Sequence, residues 1–218
     1  MSESTRGATP DPAPPVPPRW KGINSLDLVH QLNERCIELL CDLAAADARR
    51  TDLPIVTENR EIWARVEPEA RHRAARMPFV IVNAKFSDEA WWRHAADSRA
   101  HAGEAEALSN GLPHEASEQL MHEVIMFAWQ TARWDRTVAQ LSLGMTPSVA
   151  DTVAALTPQK VREIAARESQ AVEIRWANNP VFWRDVLVAA SEGSDEKLAE
   201  LHLHAKLLLC GELAKLKP

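Results

Sequence analysis

The chain has 218 residues, 45% of them apolar, and 25 Lys+Arg against 31 Asp+Glu leave a net charge of −6. That length allows one domain or two small units with a real core. The seven glycines include no G-x-G spacing, which excludes dinucleotide fingerprints and phosphate-cradling loops, and the acidic balance argues against electrostatic binding of nucleic acid by the chain alone.

Residues 1–22 are rich in Pro, Ser, Thr and Ala and are expected to form a disordered arm. Met1 to Pro18 has no apolar core of a signal peptide, and no later stretch approaches the ~18 apolar residues of a membrane span. The expected compartment is therefore the cytoplasm. A first helix is predicted from Asn24 as N-cap, with Ile23 and Leu28 as a hydrophobic staple, fading near Asp47. Its Val29, Leu32, Cys36, Leu39 and Leu43 step by three and four, the spacing of a helix packed along another helix. Cys36 lies on that stripe and reads as a small hydrophobe. Cys41 lies off it and is expected at the surface.

A second long helix is predicted after Pro113, with Leu120, Val124, Phe127, Thr131, Trp134, Val138 and Leu141 on one stripe and Gly144 as its stop. A third begins at Ser194 as N-cap and carries Leu198, Leu201, Ala205, Leu208 and Leu209. The segments between them, 48–112 and 145–193, resemble each other at an offset of 90. Leu53 meets Leu143, Ala64 meets Ala154, Pro68 meets Pro158, Ala75 meets Ala165, and Val82 meets Val172. Each has a short helix (Ile62–Val66; Val153–Leu156), then a proline at the first position of another (Glu69–Arg76; Gln159–Arg167). An alternating strand-like run ending in an aromatic follows (Phe79–Phe86; Val172–Trp176), then an amphipathic helix holding Trp-Arg (Trp92-Arg93; Trp183-Arg184). This order reads as an internal duplication. The fold class is mainly α: two helical units, 23–112 and 113–218, each with a short strand-like segment, joined by long amphipathic helices.

The run from Trp134 to Leu213 resembles the FlhD family of flagellar master transcriptional regulators. The resemblance is carried by Ser142-Leu143-Gly144, by Ala150-Asp151-Thr152-Val153-Ala154-Ala155-Leu156-Thr157, by Val172-Glu173-Ile174-Arg175-Trp176, and by a last helix from Leu198 to Leu213 with His202 inside it. The first unit is a fainter likeness. The resemblance implies a mainly helical protein that dimerises through long helices. It also implies a transcriptional regulator that binds promoter DNA with an FlhC-like partner subunit, the partner carrying the zinc cysteines. The chain departs from the family in holding two units, in having Val172 about where familiar members have a cysteine, and in its Pro-rich arm. One chain is thus expected to imitate the family's dimer, or to form a homodimer. A different reading is an adaptor or anti-activator that keeps the dimerising helices and has lost DNA contact.

The residues offer little else chemical. His202 and His204 point about 200° apart on a helix and cannot share a metal. The three cysteines form no C-x-x-C pair and cannot alone make a four-ligand zinc site. The candidate acid pairs Glu118/Glu123 and Asp151/Glu163 have no nucleophile beside them. No enzyme activity, metal or cofactor is expected. Trp91 and Trp92 are adjacent and cannot both face one core, so one of them is expected at a contact with another element or chain. The sharper signal is basic. After Pro68, His72, Arg73 and Arg76 fall within an arc of about 100° on a helix, opposite Ala70, Ala74 and Met77. That face suits phosphate contact. In the second unit the equivalent positions are Arg162, Glu163 and Ala166, so the face is largely lost there and Arg162 and Arg167 remain as scattered basic residues. The expected DNA-binding residues are His72, Arg73, Arg76, Arg162 and Arg167. The expected interface residues are Val29, Leu32, Leu39, Leu120, Val124, Phe127, Leu201 and Leu208.

Overall fold

A computed structural model describes residues 25–46, 51–97 and 110–214. The Pro-rich arm and the Asn24 cap with its Ile23 staple lie outside the described residues. Among those described, eleven helices and one pair of two-residue strands form a mainly helical fold around one continuous core. Helix α1 (Ser25–Ala45) precedes the short α2 (Pro54–Thr57), α3 (Arg60–Arg65) and α4 (Pro68–Ala74), then β1 (Val82–Asn83) and α5 (Glu89–Ala96). Helix α6 (His114–Trp134) precedes α7 (Arg136–Leu143), α8 (Pro147–Ala154) and α9 (Pro158–Arg167), then β2 (Glu173–Ile174), α10 (Pro180–Glu192) and α11 (Asp195–Ala214).

Local chemistry accounts for most boundaries. Pro68 and Pro158 both open helices, where a missing N–H costs nothing. The hydroxyls of Thr146 and Thr157 accept the Val149 and Lys160 N–H groups, capping α8 and α9. Gly144 and Gly193 end α7 and α10 at φ 68° and 70°, a left-handed conformation that glycine adopts without a Cβ penalty.

The long helices α1 and α6 pack on each other, and each packs on the short helices that follow it. The closing helices cross over. Helix α10 packs on α2, α3 and α4, whereas α5 packs on α8 and α9. Between them β1 and β2 pair antiparallel, Val82 opposite Ile174 and Asn83 opposite Glu173. The pattern around this pair recurs 91 positions along the chain. Ile55 N–H donates to Ala177 O, and Thr146 N–H to Phe86 O, both at 3.2 Å. Trp92 Nε1 donates to Ala84 O at 3.1 Å and Trp183 Nε1 to Arg175 O at 3.2 Å. Among the described residues Lys85 and Trp176 are the two non-glycine residues with positive φ, both 54°. Asp88 and Asn179 cap α5 and α10 through Trp91 N–H and Phe182 N–H.

Four expectations are corrected. The strand-like runs are mostly irregular: residues 79–82, 84 and 86 are all buried, so the run does not alternate, and two residues of each run pair. The matching offset around the strand pair is 91, not the 90 that relates Pro68 to Pro158. Val82 therefore takes the place of Glu173 rather than Val172. The second long helix breaks at Asp135, whose carboxylate caps α7 through Thr137 and Val138 N–H. The stripe is outward on both sides of the break, Trp134 at the end of α6 being 58% exposed and Leu141 on α7 71%. Cys41 is buried, and burial pushes its thiol up to about 11. Cys36 is buried as expected, its thiol also pushed up by burial. Trp92 is buried, stacked on Phe86, and the half-buried Trp91 meets it edge-on at 5.1 Å.

Candidate functional site

The expected basic face lies on α4 and just beyond it. Ala70, Ala74 and Met77 are buried, as the helical phase requires. His72 is exposed, its Nδ1 3.2 Å from Glu34 Oε2 on α1. Arg76 is exposed. Arg73 is turned inward. Its side chain is 22% exposed, its Nε donates to Ala190 O at 2.6 Å, and Nη1 meets Glu69 at 2.8 Å. Arg167 behaves alike. Its side chain is 23% exposed, Nη2 donates to Ala95 O at 3.0 Å, and Nε meets Glu168 at 2.7 Å. Arg162 is exposed on α9.

The two inward arginines do equivalent work. Arg73 reaches the last turn of α10 and Arg167 the last turn of α5, the closing helices that cross between halves. Helix C-termini leave carbonyls without partners and carry partial negative charge, so a guanidinium there both donates and neutralises. Arg60 does the same at the end of α1, donating to Ala44 O at 2.8 Å and Ala46 O at 3.0 Å. The buried Arg175 donates to Leu143 O at 2.6 Å, at the end of α7, and to Val80 O at 3.0 Å. Helical phase within α4 is visible in the sequence. Which arginine meets another helix's carbonyl is not, because the partner lies more than a hundred residues away at Ala190. Arg73→Ala and Arg167→Ala are each expected to cost about 1–2 kcal/mol through the lost caps. The exposed Arg76→Ala and Arg162→Ala should stay within about 0.5 kcal/mol. Urea denaturation distinguishes them, and equal costs for all four would remove the cap assignment.

The expected interface residues lie inside one chain. Val29, Leu32, Leu120, Val124, Phe127 and Leu201 are buried in the common core, and Leu39 and Leu208 are half-buried. The outward apolar surface is elsewhere: Leu203 and Leu207 on α11, Val181 and Val188 on α10, and Trp134 and Leu141 at the α6–α7 break. Leu203 and Leu207, four apart, signal in the sequence that α11 has a second apolar face besides Leu198, Leu201, Ala205 and Leu209.

An open groove of about 290 Å³ runs between α1 and α6, lined by Arg35, Glu38, Asp42, Arg71, Gln119 and Glu123. Within it Arg35 is ion-paired with Glu38 at 3.1 Å, Arg71 Nε donates to Val66 O at 2.9 Å, and Gln119 Nε2 donates to Glu123 at 2.9 Å. Asp151 is paired with Arg136 at 2.6 Å rather than with Glu163. Among the described residues no group of three or more His, Cys, Asp or Glu is arranged to hold a metal, and no helix is long and apolar enough to cross a membrane. Compared with known proteins, the chain matches no family model, no curated protein and no solved structure.

Proposed function

We propose that the chain is a fused pair of FlhD-like units, 23–112 and 113–218, that imitates a dimer within one polypeptide. It acts as a protein–protein subunit of a transcription-regulating assembly, in flagellar or related gene control in the cytoplasm. The observation that carries this reading is the exchange of α5 and α10 around the β1–β2 pair, with hydrogen bonds, caps and positive-φ residues repeating at an offset of 91. Two related units related by a local twofold would produce that pattern. The resemblance of the second half to the FlhD family supplies the class of function, with an FlhC-like subunit as the partner.

In this reading promoter DNA is bound only with the partner. Arg73 and Arg167 serve as helix caps, which leaves Arg76, Arg162 and the imidazole of His72 for phosphate contact on a chain of net charge −6. The same observation favours the second reading, an adaptor or anti-activator without DNA contact. Fluorescence anisotropy of duplex DNA against salt, with and without the co-purified partner, separates the two. The isolated chain is expected to bind no tighter than about micromolar at physiological salt. In the complex, Arg76→Ala should flatten the log–log salt slope by about one, while Arg73→Ala leaves it unchanged. Nanomolar binding by the chain alone would overturn the subunit reading. A complex that never binds DNA would leave the adaptor.

A further inference from the structure

Helix α11 carries apolar residues on two opposite sides. Leu198, Leu201, Ala205 and Leu209 are buried; the helix rests on α10, with Leu209 against the Gly144 end of α7. On the other side Leu203 and Leu207 are 60% and 65% exposed, and Cys210 is exposed with them. Glu196 and Ala199, also exposed, extend the same line. These five positions step by three and four and fall within an arc of about 80° at 100° per residue. Charged side chains border the stripe. Lys197 and Glu200, paired at 3.0 Å, lie along one edge, and the exposed Lys206 lies along the other. An apolar line edged by charges is the seam of a helix pair, and it needs a second helix laid along it.

The charge order along α11 says which helix fits. Asp195, Glu196 and Glu200 against Lys197 leave residues 195–204 at −2. Lys206, Lys215 and Lys217 against Glu212 leave residues 205–218 at +2, the last four of them lying outside the described residues. A copy of this helix laid parallel would set like charge on like charge. Laid antiparallel, it sets each half on its opposite, and a twofold axis makes that match twice.

We propose that the outward stripe of α11 is a self-association surface: a second copy of the chain lays its own α11 antiparallel along it, Leu203 opposite the partner's Cys210 and the two Leu207 side chains beside the twofold axis. The spacing of the stripe sets this register, because Leu203 and Cys210 flank Leu207 on either side. One helix face is smaller than the 20–30 residues a side of a standard interface, so the association is expected in the micromolar range.

Sedimentation equilibrium of the full chain between about 1 and 300 µM tests the surface. The mass is expected to rise from 24.3 kDa towards twice that value. Leu207→Glu sets two carboxylates against each other at the axis and should weaken the association at least about tenfold. Its circular dichroism should match the wild type, since the side chain faces solvent within one chain.

Oxidation with copper-phenanthroline reads the direction. Cys36 and Cys41 are buried, which leaves Cys210 as the exposed thiol. In the antiparallel register the two Cys210 side chains stand about 10 Å apart along the axis, beyond the reach of a disulfide, so the wild-type chain should not cross-link. Leu203→Cys brings a thiol opposite the partner's Cys210 and should give a covalent dimer, lost again when Cys210→Ser is added. A chain that stays monomeric throughout overturns the proposal, as does a dimer that Leu207→Glu leaves unchanged. Wild-type cross-linking through Cys210, or cross-linking of Leu203→Cys that survives Cys210→Ser, would mark a parallel pair and refute the antiparallel one.

Discussion

Replacing Trp183 by Ala is expected to lower the unfolding free energy by about 3–5 kcal/mol, a large share of the 5–15 kcal/mol typical of a domain. Trp183 is fully buried on α10, the helix that crosses from the second half into the first. Its ring lies 5.8 Å from that of Trp63 on α3 and 5.7 Å from Phe182, and its Nε1 donates to Arg175 O. Truncation removes the largest side chain joining α10 to the other half, and leaves a cavity that flanking helices cannot close without moving. Trp183→Phe keeps most of the volume and loses the hydrogen bond, so it should cost about 1–3 kcal/mol. Urea unfolding followed by far-UV circular dichroism measures both. A cost below about 1 kcal/mol for Trp183→Ala would mean that α10 is not held where the structure places it.

Asn33→Leu is expected to cost about 3 kcal/mol or more, a fall in melting temperature of roughly 6–12 °C for a chain of this length. Asn33 is fully buried on α1 and acts as a clamp on the irregular stretch between α4 and β1. Its Nδ2 donates to Ala75 O at 3.2 Å and Phe79 O at 2.9 Å, and its Oδ1 accepts the Ile81 N–H at 2.9 Å. Backbone groups outside helices and sheets still need partners when buried, and here one amide satisfies three of them. Leucine fills a similar volume but strands these groups in an apolar setting. Differential scanning calorimetry gives the answer, and a melting temperature within 2 °C of the wild type would show that water reaches these groups.

The sequence carried the local part of this protein. Proline at first helical positions, threonine and asparagine caps, and glycine stops at 144 and 193 act through bonds to near neighbours, so they are legible within a few residues. Mainly helical structure and the apolar phase of α1 follow from periodicity for the same reason. The tertiary structure alone decided which halves exchange α5 and α10, that β1 pairs with β2, and that the second stripe is outward on both sides of Asp135. It also decided the candidate basic face. Helical phase brings His72, Arg73 and Arg76 to one side, but whether a guanidinium meets solvent or a carbonyl depends on what packs there. Ala190 O sits against Arg73 because α10 crosses over, and Ala95 O against Arg167 because α5 does. These contacts join residues 117 and 72 apart, and a pattern with a period of 3.6 residues holds no information about them.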